Sequence, residues 1–193
     1  KLAKETRFVS QDFSEDVANQ LYPLDTFSAY AITTAIQRYG QNERSLFTFL
    51  SSKGSNSVSE FETAKNLTYN LQKVYDYILY NFYSYLKDAN ADSMSWSSMQ
   101  VSIERVEGQN WEDKEQMLAA VNIVKAIGLL NLFSVAGFRL TAESMATYAR
   151  LAMNIPDAES IIRQLETKKI IRFAAYKERL MLFEGTDVDL EAE

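Results

Sequence analysis

The chain has 193 residues, 47% hydrophobic and 24% charged, which is enough for one sizeable core or two small ones and too apolar for disorder throughout. It contains neither cysteine nor histidine, which excludes disulfides, thiol catalysis, Ser-His and Cys-His nucleophilic systems and nearly all zinc sites. The net charge of −6 argues against whole-surface attraction to nucleic acid, though not against a local basic patch.

Only 2 Pro and 6 Gly interrupt the chain, and together with 11 Tyr and 11 Phe this predicts a mainly α fold of long helices packed by aromatic residues. Residues 8–21 read as a short helix or a linker, with Ser14 a cap. Asp25 caps a helix running to Tyr39, with Phe27, Ala31, Ala35 and Ile36 inward, and Gly40 ends it by taking a positive φ. Asn42 caps the next helix, which is expected to bury Leu46, Phe47 and Leu50. Residues 51–59 form a polar, Gly-containing loop. Leu71, Val74, Tyr75, Ile78, Leu79, Phe82 and Leu86 keep the 3,4 spacing of one helical stripe. Trp96, Met99, Ile103 and Val106 repeat it, and Gly108 stops it. Residues 117–133 are apolar on several faces, so this helix belongs at the centre, with Gly128 letting another element approach. Asn122, Lys125 and Asn131 interrupt it, leaving no run of the roughly 18 consecutive apolar residues that a membrane span needs.

The last third has the order of a winged helix. Thr141 caps a helix through Arg150, and Pro156 suits the first turn of another whose Ile161, Ile162 and Leu165 face inward. Two β-favouring runs follow, residues 170–174 and 179–183, joined by a hairpin-length connection over residues 175–178. A soft division near Gly108 to Asn110 gives a helical domain over residues 1–109 and a winged-helix domain over residues 110–193.

No phosphate-binding glycine loop is present: Ser51-Ser52-Lys53-Gly54-Ser55 neither fits G-x-x-x-x-G-K-[ST] nor follows a strand, so ATP hydrolysis by this chain alone is not expected. A charge supplied to a nucleotide held elsewhere remains open. Arg38 and Arg44 flank the Gly40 break, where a guanidinium can reach a phosphate as a sensor or finger; the other reading is that Glu43 and Arg44 form surface pairs. Arg163, Lys168, Lys169, Arg172, Lys177 and Arg179 cluster across the last helix and the hairpin, a basic wing that can grip phosphates or a protein partner. Asp157 and Glu159 at the start of that helix oppose base reading. Tyr77 and Tyr80, off the apolar stripe, either stack on a partner or pack a neighbouring helix. The acidic run Glu184-Gly185-Thr186-Asp187-Val188-Asp189-Leu190-Glu191 lacks a full calcium-loop pattern and reads as a solvated boundary.

Three short stretches carry a resemblance: Tyr22-Pro23-Leu24, Gly40-Gln41-Asn42-Glu43-Arg44-Ser45-Leu46-Phe47-Thr48-Phe49-Leu50, and Leu182-Phe183-Glu184-Gly185-Thr186-Asp187-Val188-Asp189. Together they resemble the region after the nucleotide-binding core of large prokaryotic AAA+/STAND-type P-loop ATPases, which are often linked to anti-phage defence. The resemblance implies a lid followed by a winged helix, with ATP and magnesium held by a P-loop core elsewhere in a longer polypeptide that can assemble into an oligomer. It also implies that the proline turn at Pro23 lies near the nucleotide. The family's pattern continues with a His-Pro pair where Asp25 and Thr26 stand here, and this argues against direct base contact. Lys1 in place of Met and the acidic end fit a segment of something longer. With no signal peptide at its start, the expected compartment is the cytoplasm, without a membrane partner.

Overall fold

The computed structural model describes residues 1–40, 44–51, 56–61, 68–88 and 90–183. Among them the chain forms α1 (Leu2–Glu5), α2 (Glu15–Gln20), α3 (Thr26–Tyr39), α4 (Arg44–Ser51), α5 (Leu71–Lys87), α6 (Ser93–Glu107), α7 (Lys114–Leu132), α8 (Ala142–Met153), α9 (Ala158–Thr167), β1 (Ile171–Ala174) and β2 (Arg179–Leu182). The fold is mainly α, a helical bundle followed by a small antiparallel hairpin, as expected.

Polar side chains start most of the longer helices. Ser14 accepts from the Val17 amide, Asp25 from that of Ser28 at 2.9 Å, Asn70 from those of Gln72 and Lys73, and Asp113 from that of Gln116 at 2.7 Å. Thr141 and Ser144 form a reciprocal capping box at α8. Each such cap is worth about 1 kcal/mol, because it satisfies an amide that the helix cannot.

Three local expectations are corrected. Gly40 does close α3, but its φ is −75°, so left-handed freedom is not the reason. A Cβ there would run into the Ile36 carbonyl oxygen and the Ser45 hydroxyl, so the requirement is space. In α4, Leu46, Phe47 and Leu50 are exposed, and Phe49 is the residue buried, edge-on to the rings of Tyr69 and Tyr77. Pro156 precedes the Asp157 cap of α9 and is not in its first turn, because the chain leaves α8 through Asn154 in a left-handed conformation before turning. The proposed cap Asn42 lies outside the described residues, as does much of the loop over residues 51–59.

The core is arranged around α7. Ala120, Val121, Ile123, Val124, Ala126, Ile127, Leu129 and Leu130 are all buried, and the helix packs against α3, α5 and α6 as well as α8, α9 and β2. Its 19 residues are long and apolar enough, by length and composition alone, to cross a bilayer, and half of that stretch is buried inside the fold. Lys125, in its middle, forms a 2.7 Å ion pair with Asp76 of α5 and lies over the Tyr75 ring. The close approach expected at Gly128 is observed: the Met99 side chain of α6 occupies the space a Cβ would take.

After α7 the chain runs through Phe138 and Leu140 into α8, α9 and the hairpin. β1 and β2 pair in register from Ile171 with Leu182 to Ala174 with Arg179, and Glu178 in a left-handed conformation completes the turn. Leu140 adds one further rung to β2, accepting from the Leu180 amide at 2.8 Å and donating to the Glu178 carbonyl at 3.1 Å. Helix, bridge, helix, helix, hairpin is the order of a winged helix. The start of the chain is fastened to this module: the Arg139 amide donates to the Thr6 carbonyl, and Phe8 meets Phe27, Tyr30 and Phe138.

Because Met99 fills the space over Gly128, Gly128→Ala is expected to destabilise the protein by about 1–3 kcal/mol through overpacking, despite the better helix propensity of alanine. In a Met99→Ala background the same change should become neutral or stabilising. Urea unfolding of the two single variants and the double variant measures both effects.

Candidate functional site

The nucleotide-sensing candidates occupy the two ends of α3. Pro23 lies just before its first turn, half-buried, following a cis peptide with Tyr22. Its carbonyl accepts from the Tyr69 amide at 2.7 Å, and Leu24 bridges to Tyr69. Arg38 lies in the last turn. A helix of this length spans about 20 Å, so Pro23 and Arg38 do not converge. Arg44 begins α4, on the Arg38 side of the Gly40 break, and its side chain lies outside the described residues.

Arg38 is held by its surroundings. Its guanidinium pairs with Asp92 at 3.2 Å and lies 5.2 Å from the centre of the Phe133 ring. The Tyr39 hydroxyl donates to the same carboxylate at 2.7 Å and accepts from the Trp96 indole at 3.1 Å. Burial raises the Tyr39 pKa, so the phenol stays neutral and continues to donate. Asp92 therefore ties the end of α3 to the start of α6, and Arg38 is partly committed to that joint.

The basic residues of the last helix and the hairpin are mixed in role. Arg163 and Lys169 are exposed, Lys169 in a left-handed conformation. Lys168 caps α9, lies over the Trp111 ring and donates to the Asn110 carbonyl, so much of its reach is used inside the fold. Arg172 lies on β1 opposite Met181. Lys177 is exposed on the hairpin turn beside Tyr176, and Arg179 lies over the Phe138 ring. Two aromatic residues, Phe173 and Tyr176, are exposed among these cations. At the opposite end of α9, Glu159 pairs with Arg150 at 2.5 Å, which partly neutralises the acidic start.

Of the tyrosines outside the stripe, Tyr77 is buried beneath Phe49, whereas Tyr80 is exposed. The acidic run from Glu184 lies outside the described residues. Among the described residues, no group of three or more acidic side chains is placed to hold a metal.

Two junctions between the helical half and the winged half were not anticipated from sequence. The first centres on Asp25, whose carboxylate accepts from the Ser28 amide, the Ser28 hydroxyl and, at 2.8 Å, the Tyr148 hydroxyl of α8. Tyr148 in turn accepts from the Leu71 amide of α5 at 2.9 Å, and Asn70 donates to the Ala152 carbonyl at 3.0 Å. Three helices thus meet at one phenol. Burial raises the pKa of Asp25, and the hydrogen bonds from Ser28 and Tyr148 oppose that rise. Burial raises Tyr148 as well, keeping it a phenol. The second junction is Arg105 of α6, which donates to the Phe183 carbonyl at 3.0 Å and the Lys169 carbonyl at 2.6 Å, and so clasps the hairpin where it opens. The available signals were slight: a tyrosine in an apolar helical face needs a partner for its hydroxyl, and an arginine does not reveal which carbonyls it will find.

Comparison with protein-family models, curated proteins and solved structures finds no match to this chain.

Tyr148→Phe removes both a donor and an acceptor from the first junction and is expected to cost about 1–3 kcal/mol in urea unfolding. Asp25 supplies a pH signature. With its folded pKa raised above the ordinary 3.8, its contribution favours the folded state below that value and is lost as pH rises through the raised pKa. Wild-type stability measured relative to Asp25→Asn should therefore fall over that interval.

Proposed function

We propose that this chain is a non-catalytic coupling segment of a larger P-loop ATPase, relaying nucleotide state to assembly or to an effector in the cytoplasm. The observation that carries the reading is that α7 packs the lid-like helices and the winged helix at once, with Arg105 and Tyr148 bonded across the same boundary. A displacement of one half is thereby transmitted to the other. The resemblance of Tyr22-Pro23-Leu24 and of the stretch from Gly40 to Leu50 supplies the ATPase context. ATP and magnesium belong in this reading to a P-loop core in the same longer polypeptide, because this chain offers no glycine-rich phosphate cradle. Its own contribution is positive charge at the α3–α4 break. Arg44 is the sharper candidate there, since Arg38 would have to leave Asp92 and Phe133. Assembly into a homo-oligomer is part of the same proposal.

A second reading, nucleic-acid binding through the wing, is favoured by one specific feature: Phe173 and Tyr176 stand exposed between Lys169, Arg172 and Lys177. Aromatic faces stack on bases while cations neutralise phosphates.

In the complete polypeptide, Arg44→Ala should reduce ATP turnover or nucleotide-linked oligomerisation by at least about tenfold, a modest fraction of what a phosphate-contacting arginine can supply. Wild-type values in both assays would remove Arg44 from the site. For the second reading, single-stranded and duplex DNA and RNA should bind at low salt, and joint neutralisation of Lys169 and Lys177 should weaken binding and flatten its salt dependence. Absence of any binding at low ionic strength would end it.

A further inference from the structure

A cleft of about 420 Å³ opens between α6, the end of α7 and β2. It is adjacent to the basic wing, but its chemistry differs from that of the wing's outer surface. Arg179 and Met181 alternate along β2, which puts them on one face of it, and both line the cleft together with Lys177 from the hairpin turn. Across from them, Ser95 and Ser98 sit three residues apart on one face of α6. Met99, Leu132 and Leu182 supply an apolar floor, with the Met99 side chain packed directly onto bare Gly128.

The polar groups of this cleft divide into those already engaged and those without a partner. The Asn131 amide donates to the carbonyls of Ile127 and Leu180, and Ser134 donates to the Asn131 carbonyl, so both are in use. Among the described residues, the Ser95 and Ser98 hydroxyls enter no hydrogen bond, and Lys177 and Arg179, though each lies over an aromatic ring, have no carboxylate partner. The Arg179 Nε is sealed from solvent and lacks an acceptor. A buried donor left in this state is unfavourable, so the site is short of acceptor oxygens. No Asp or Glu lines the cleft. The end of α7 contributes a partial negative charge of about half a unit, which two full positive charges outweigh.

Two cations, two free hydroxyls and an apolar floor in a cleft of small-molecule size match a ligand with an anionic end and a flat or apolar body. We infer that this cleft binds a small phosphate monoester, with its phosphate held by Lys177 and Arg179, its neutral polar groups against Ser95 and Ser98, and its apolar body on Met99, Leu132 and Leu182. A phosphate suits the arginine because a guanidinium can hold two of its oxygens at once. The site lies within this chain and is separate from any nucleotide held by a P-loop core.

The test is calorimetric titration of the 193-residue chain at low ionic strength with 5′-AMP, adenosine, inorganic phosphate and an oligonucleotide lacking terminal phosphates. The expected result is saturable 5′-AMP binding at least tenfold tighter than that of adenosine or of inorganic phosphate. Lys177→Gln, on an exposed turn where folding is not at risk, should weaken 5′-AMP by at least fivefold, and Arg179→Gln by more. Ser95→Ala with Ser98→Ala should weaken 5′-AMP while leaving inorganic phosphate unchanged. The proposal is overturned by no 5′-AMP binding, by equal binding of adenosine or the oligonucleotide, or by 5′-AMP affinity unmoved by Lys177→Gln. Inorganic phosphate binding as tightly as 5′-AMP would also overturn it, because the cleft would then be an anion site without a place for the body.

Discussion

The structure depends on the burial of α7. A helix apolar on several faces cannot bury them all against one neighbour, so elements from both sides of it in sequence must pack on it. The wrapping comes from two directions, α3, α5 and α6 before it in sequence and α8, α9 and β2 after it. Lys125 is the one cation in the buried middle of that helix, and a single carboxylate on α5 and one tyrosine ring are enough to accommodate it. The partnership also sets the rotation of α7 against α5, because removing either charge would strand the other in a poorly solvated place.

Around this axis the elements of the chain are joined by directional bonds as well as by apolar contact. Tyr148 connects the capped start of α3 with the start of α5, and Asp92 connects the end of α3 with the start of α6. Arg105 then reaches from α6 to the base of the hairpin. Apolar packing tolerates sliding, whereas bonds to particular oxygens fix position. Such bonds hold the elements in one relative placement, which is what the proposed coupling role requires.

What could be read from sequence followed the strength of the local signal. The stripe from Leu71 to Leu86, the caps at Ser14, Asp25 and Thr141, and the close approach at Gly128 all rest on periodicity or on bonds between near neighbours, and all are present in the structure. The face of α4 was misjudged because its eight residues carry Leu46, Phe47, Phe49 and Leu50 on more than one side. Which side is buried was decided by Tyr69 and Tyr77, far along the chain. The wing cations were found because they are close in sequence. The commitment of Lys168 to Trp111 and Asn110 was not, since it spans nearly sixty positions. The junction residues Tyr148 and Arg105 escaped for the same reason.

The hairpin also bears on strand pairing between copies of this chain. Its second strand is bounded by Leu140 on one side and β1 on the other, so among the described residues β1 forms the margin of the sheet. That margin is only four residues long, carries Arg172, and is pinned at its base by Arg105. A short, charged and anchored edge is a poor template for an incoming strand. Runaway β-stacking through this small sheet is therefore disfavoured, even with Phe173 exposed to solvent.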